Sequence, residues 1–228
     1  MKLDFSPAIF LDLTKSIAGG YFEKYQNVWE IIPDISDIII DLIKKIKAGE
    51  TTLKYTQIYE GVWAGENTYV ENSALIKSPA IIGANCEIRH CAYIRGNVII
   101  GDGCVIGNST ELKNVIVFDK AQIPHFNYAG DSVVGYKAHL GASSILSNQK
   151  SDKSPVNISF KGSKTKTGLL KLGSIVGDKA EIGCGSVLNP GSVIGKNCVV
   201  YPLVSIRGYI EENHIVKDKD TIIKKRVP

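Results

Sequence analysis

AIIGANCEIRHCAYIRGNVIIGDGCVIGNSTEL, residues 80–112, sets an aliphatic residue at every sixth position: Ile82, Ile88, Ile94, Ile100, Ile106 and Leu112. The series reaches back through Ile76 and Val70 to Ile58, with Ala64 as its one small member, and resumes at Val176, Ile182, Leu188, Ile194, Val200 and Ile206. No helix has period six, and the turns between ordinary strands do not return on a fixed count. A short strand and a tight turn, repeated and stacked, produce this pattern. Four residues after each aliphatic stands a mostly small residue, among them Ala74, Ala80, Cys86, Ala92, Cys104, Ala180, Ser186 and Cys198. The aliphatic fills the interior of each coil, and the small residue points inward where the corner is narrow. Cys86, Cys104 and Cys198 are therefore read as filler. The five cysteines have no CxxC or zinc spacing, which suits a reducing compartment and predicts no metal site.

The repeat divides the 228 residues into an N-terminal helical segment (1–55), a β-helix (56–211) with an inserted loop (147–172), and a tail (212–228). In the first part, PDISDIIIDLIKKIKAGE predicts an amphipathic helix with Asp34 or Ser36 as N-cap, Ile35, Ile38, Ile39, Leu42, Ile43 and Ile46 on one face, and Gly49 as its stop. This helix is expected to pack on the end of the coil stack and hide its open strand edge. The segment with Trp29 and Pro33 is expected to be helical or irregular.

A composition of 44% hydrophobic and 22% charged residues is that of a soluble globular chain. The opening MKLDFSPAIFLDLTKS makes a poor signal peptide, and Ile35 to Ile46 is too short and charged to span a bilayer, so a cytoplasmic protein without membrane contact is expected. A net charge of +4 gives no case for nucleic acid.

The count falters after Leu112: the steps to Val117, Ile123, Ala129 and Val134 are five, six, six and five. AQIPHFNYAGDSVVG, residues 121–135, lies within this break, which is expected to reorient the coil and project His125 outward after the rigid Pro124. After Leu146 the pattern stops until Val176. The intervening stretch holds Lys150, Lys153, Lys161, Lys164, Lys166 and Lys171 against one acid, Asp152. A solvated loop and a basic flap over an anionic ligand in the groove are both open readings.

The hexads resemble those of the hexapeptide-repeat acyltransferases, a resemblance that implies a mainly β, left-handed parallel β-helix with three hexads per turn. Residues 90s to 140s sharpen it. IRGNVIIGDGCVIGNSTELKNVIV, IPHFNYAGDSVVG and HLGASSILSN resemble, in order, the acetyltransferase half of bifunctional sugar-1-phosphate nucleotidyltransferases that acetylate glucosamine-1-phosphate. The resemblance covers about residues 55–228. It implies a homotrimer, acetyl-CoA as co-substrate, no essential metal, and an amino-sugar phosphate as the small-molecule partner.

Carried over by position, the resemblance makes His125 the general base and Tyr128 a substrate contact. Arg95 and Lys113 hold the sugar phosphate, Asn148 lies near the amine with Lys153 one place short of a further expected lysine, Ala142 and Cys184 lie near the acetyl donor, and Arg226 near coenzyme A. The chemistry suits these residue types. An imidazole can accept the proton an amine must lose, and arginine and lysine can clamp a phosphate. Arg95 and Lys113 are eighteen residues apart, so three hexads per turn would stack one above the other.

Tyr201 and Pro202 replace small residues beside the donor and Cys184 replaces a serine, so a noncatalytic trimeric sugar-phosphate- or nucleotide-sugar-binding protein is the alternative. A zinc carbonic anhydrase would need three converging histidines, for which only His90, His125 and His139 are candidates within the repeat.

Overall fold

Eighteen residues carry the chain once around a triangular coil, so Val62 pairs with Ala80 and Ala80 with Val98 in parallel register. The structure, a computed structural model, describes residues 3–225. Its strands stack into three faces. The first holds Val62–Gly65, Ala80–Ile82, Val98–Ile100, Ser174–Val176 and Ser192–Ile194. The second runs from Tyr69–Val70 through Glu87–Ile88, Val105–Asn108, Gln122–His125 and His139–Leu140 to His214–Val216. The third runs from Leu75–Ile76 through Tyr93–Ile94, Ile145–Leu146 and Val187–Leu188 to Ser205–Ile206. An antiparallel hairpin starts the first face, Tyr55–Tyr59 against Val62–Gly65, and another ends the second, His214–Val216 against Ile222–Lys224.

The hexad aliphatics form one continuous core from Ile76 to Ile206, and nearly all are fully buried. Each such side chain contributes roughly 1.5–3 kcal/mol against its exposed state. Cys86, Cys104 and Cys198 are buried in the same column, and each thiol donates to a main-chain carbonyl, of Gly101, Phe118 and Glu211 in turn.

Helix Ile35–Ala48 begins after Asp34 and ends at Gly49, whose φ of 71° is the left-handed conformation that a helix stop requires. The Trp29 segment is a 3-10 helix, Val28–Asp34, with a capping box between Asn27 and Glu30. The placement of this layer differs from the expected end cap. It lies on the flank of the prism. Phe5, Phe10, Phe22, Trp29, Ile39 and Leu42 share a second core with Ile81, Ile99, Ile116, Val133, Ile175 and Val193. The latter six are the outward-pointing residues of the first face, each directly before an inward aliphatic. A strand that must be apolar on both sides carries two adjacent aliphatics, and the chain repeats such a doublet once per turn. The other two faces carry no such unbroken run: their outward positions mix Leu75, Ile145 and Val187 with Glu111 and Ser205 on the third face, and Val105 and Val199 with Glu87, Gln122 and Glu181 on the second.

The inserted segment also belongs to this flank. Asn157–Phe160 and Ser163–Lys166 form a hairpin. Val156, Ile158 and Leu172 are buried in the second core, and the Phe160 ring lies 5.1 Å from that of Tyr209. The hairpin therefore docks on the covered face, and Lys161 pairs with Glu211 at 3.1 Å. It is not a flap over a groove, because its apolar face is already buried.

Candidate functional site

Two corners bound the third face, and they are built differently. At the corner entering it from the second face, every turn keeps the full hexad. Cys91, Ser109, Phe126, Ser143, Gly185 and Leu203 occupy the same left-handed position, with φ between 52° and 68°. The residue before each forms a column: His90, Asn108, His125, Ala142, Cys184, Pro202. From Ser109 onward the N–H of each left-handed residue bonds the carbonyl one turn below, as in Phe126 to Asn108, Ser143 to His125 and Gly185 to Ala142.

His125 thus sits in a regular corner, and the break in step does not displace it. Its own N–H donates to Asn127 Oδ1 at 3.0 Å, and the Asn127 side chain donates to the Gly141 carbonyl at 2.7 Å. The main chain is pinned while the imidazole is exposed. The exposed Phe126 beside it is the largest apolar surface on this corner below Leu203.

The two five-residue steps fall at the other corner, where the third face turns into the first. In the ordinary turn two residues, Gly96 and Asn97, separate Arg95 from Val98. Above it Asn114 alone separates Lys113 from Val115, and Asp131 alone separates Gly130 from Ser132. Asn114 and Asp131 take left-handed φ of 54° and 47°, which their short polar side chains tolerate. Strands Glu111–Val117 and Tyr128–Val134 consequently run unbroken around the corner and pair along their whole length.

Asp131 is buried at this shortened corner. Its carboxylate, 4% exposed, accepts from Lys113 Nζ at 2.9 and 3.1 Å, from Asn114 Nδ2 at 2.9 Å and from the Asn148 amide. Asn114 also donates to the Ile32 carbonyl, tying the cluster to the helical layer. A side chain at Gly130 would occupy the space of the Tyr128 hydroxyl and the Asn148 amide, so these two meet over the glycine. Burial pushes the Tyr128 phenol above its ordinary range, and the Asp131 and Glu111 charges push it further. A buried carboxylate with three polar partners is satisfied only while all remain; removing one partner of such a pair costs about 3–5 kcal/mol.

Arg95 stacks directly below Lys113, as the spacing predicts, through Tyr93–Ile94 paired to Glu111–Leu112. It is held by Glu111 at 2.8 Å in an exposed pair. The structure therefore brings Lys113, Tyr128 and Asn148 together, with Arg95 beside them. Ala142 and Cys184 lie on the other corner, on the two turns above His125. Lys153 is exposed in a turn of the inserted segment, where its N–H bonds the Lys150 carbonyl. Arg226 lies outside the described residues.

Asp131 and Asn114 were assigned no role from the sequence. Their signal is a second period: Asn97, Asn114, Asp131 and Asn148 are each seventeen residues apart. Two of the candidate zinc ligands, His90 and His125, are two turns apart on one corner. The third, His139, points from the second face to Glu181 at 3.0 Å. Among the described residues no cluster of three His, Cys, Asp or Glu could hold a metal ion, and no helix is long and apolar enough to cross a membrane.

Comparison with known proteins bears on the same region. A family model described as the GMPPB C-terminal domain matches residues 76–170. The Bifunctional protein GlmU of Methanococcus maripaludis strain C7 is 37% identical over 122 residues, 53% of this chain and 29% of that protein. The putative acetyltransferase YaiX of Escherichia coli K12 is 37% identical over 142 residues, 62% of each chain. The chain thus spans less than a third of the length of the first curated relatives it matches. Among solved structures, a mutant of the N-acyltransferase AntD from Bacillus cereus aligns with a TM-score of 0.42 at 18% identity, over 76% of this chain and 91% of the other. The hexad core, the parallel coil register and the similarity to the GlmU sequences agree: the chain is a hexapeptide-repeat β-helix, similar over about half of its length to the GlmU proteins.

Proposed function

We propose that the protein is an N-acetyltransferase that moves an acetyl group from acetyl-CoA to the amine of an amino-sugar phosphate. One observation carries this reading. A single face is bounded on one edge by an exposed, unburdened imidazole and on the other by a fixed cluster of cation, phenol and amide. His125 and Tyr128 are three residues apart, at most about 11 Å along an extended chain, so one small ligand can reach both edges.

In this reading Lys113, which keeps Asp131 and offers its remaining N–H, and Arg95, which turns from its exposed pair with Glu111, bind the phosphate, while Tyr128 and Asn148 orient the sugar. His125 takes a proton from the amine as nitrogen attacks the thioester carbonyl. The oxyanion finds donors along the His125 corner, where the Ala142 N–H is free of the coil ladder among the described residues. Collapse of the intermediate expels the coenzyme A thiolate, which takes up the proton. The acetyl group would lie along Ala142 and Cys184, directly above the imidazole. The resemblance further supports a homotrimer, in which a neighbouring prism closes the open side of the face.

A second reading, a sugar-phosphate-binding protein without catalysis, is favoured by one feature. Pro202 and Leu203, the latter 84% exposed, occupy the next turn of the donor corner, with Tyr201 beside them. Thiol release from acetyl-CoA, measured with glucosamine-1-phosphate and galactosamine-1-phosphate, separates the two. Release that requires one of these sugars is expected. Tight sugar-phosphate binding with no release and no acetyl-CoA binding would replace the enzyme by the binding protein.

A further inference from the structure

Three of the five cysteines are core filler, and two, Cys91 and Cys184, are exposed. Both exposed thiols lie on the His125 corner, but their surroundings differ. Cys91 Sγ is 3.2 Å from His90 Nε2, and the opposite ring nitrogen, Nδ1, is 2.6 Å from Ser73 Oγ. Ser73, one turn below, also accepts the Cys91 N–H at 3.2 Å. The imidazole is thereby held by both nitrogens between a thiol and a hydroxyl that is itself fixed to the main chain. Cys184 has no such neighbours: Gly183 and Gly185 flank it, Ala142 and Ser143 lie below, and Pro202 and Leu203 above.

A nucleophile, a base in contact with it, and a third group orienting that base are the parts an activated thiol needs. Neither the hexad core nor the Lys113 cluster uses any of the three, and all lie at the surface. We propose that Cys91 is a modification site, a thiol activated by His90 and Ser73 that exchanges with small-molecule disulfides. Sγ attacks one sulfur of the disulfide while its proton passes to His90 Nε2. The reagent's S–S bond breaks, and its electron pair leaves with the second sulfur as a thiolate, which recovers a proton from the imidazolium or from water. Cys91 ends oxidised as a mixed disulfide and half of the reagent ends reduced, so no further oxidant is needed. The assignment does not depend on the acetyltransferase reading.

Cys184 serves as the internal reference. The intact chain is treated with dithionitrobenzoate, and separately with oxidised glutathione, at neutral pH without denaturant, and the adducts are located by peptide mass mapping. Cys91 is expected to be labelled about tenfold or more faster than Cys184, the order of gain that a positioned base confers on a thiol. His90→Gln should slow Cys91 about tenfold and leave Cys184 unchanged, and Ser73→Ala should slow Cys91 by a smaller factor. His90 is exposed, so an unchanged melting temperature in His90→Gln shows that the fold is intact. The proposal is overturned if Cys184 reacts as fast as Cys91, if Cys91 reacts only after denaturation, or if its rate is indifferent to His90→Gln.

Discussion

The two edges of the third face solve opposite problems with the same repeat. The His125 edge keeps every residue of the hexad, spends its main-chain bonds on the coil below, and leaves the His125 side chain exposed. The Lys113 edge loses one residue in each of two successive turns, and its side chains bond one another around the buried Asp131 carboxylate. A regular corner exposes chemistry; a shortened one rigidifies it. A general base must move a proton and touch a ligand, so it belongs on the first kind. Groups that fix a ligand's orientation belong on the second, where neighbours have already removed their freedom.

Substitutions can test that division, and the largest effect should come from the open edge. His125→Ala is expected to lower acyl transfer by about 10²–10⁴, with the melting temperature and sugar-phosphate affinity nearly unchanged, since no core is removed. Thiol release and calorimetry check both halves; a fully active variant would place the base elsewhere. At the closed edge the order should reverse, with stability falling first. Asp131→Ala leaves Lys113 and two amides without their shared acceptor, and a loss of about 3 kcal/mol in denaturant unfolding is expected. A loss below about 1 kcal/mol, the value of an exposed pair, would show that this corner is no more rigid than its counterpart.

Lys113→Met keeps the aliphatic stem and removes the charge. Glucosamine-1-phosphate affinity should drop roughly 10- to 100-fold, the worth of one charge-assisted bond, while the rate at saturating sugar changes little. Titration calorimetry and saturation kinetics decide it, and a fall in rate without a fall in affinity would shift Lys113 from binding to catalysis.

The smallest effect belongs to the third corner, where the first face meets the second. Burial raises the Asp119 carboxyl to about 6, and the Asp102 charge adds to the shift. Its Oδ1 accepts the Asp102 N–H at 2.9 Å. A raised carboxyl favours the folded state when protonated, so its contribution is complete below the ordinary carboxylate range and is lost as pH rises through about 6. Asp119→Asn keeps the acceptor and removes the charge. Relative to wild type it should gain stability between about pH 4 and pH 7, and parallel unfolding profiles for the two proteins would count against the assignment.

The stacked coil was legible because one inward residue in six is enough to define it. The helix from Ile35 to Ala48 was legible from its apolar face and Gly49. Its docking surface was not read, because attention to the inward aliphatics passes over their outward neighbours. The doublets Ile81-Ile82, Ile99-Ile100, Ile116-Val117, Val133-Val134, Ile175-Val176 and Val193-Ile194 carried that information. The break in step was visible too, but steps counted along a chain do not say which corner is short. Only the register does: Lys113 opposite Gly130, and Val115 opposite Ser132, place the missing residue between them. Hence Lys113, Tyr128 and Asn148 could be named from the sequence, while Asp131, which holds two of them, could not. The inserted lysines left the position of the hairpin open for a related reason, since the buried Val156 and Ile158 decide where it docks and the charges merely remain outside.

The covering of the first face also sets an order of assembly. The Phe5 and Phe10 rings pack edge-on against Tyr209 at 5.5 and 5.8 Å. The Asp12 N–H is held by Asp178, and the Ala8 carbonyl accepts from Lys196. The helical layer is thus completed by coils far downstream of it, and contacts so distant in sequence form slowly because a long loop must close before they repay it. Until the last coils are laid down, the phenylalanines and one whole wall of isoleucine and valine face water together. A chain stalled short of Tyr209 would display that wall, and it would be most vulnerable to aggregation while still on the ribosome.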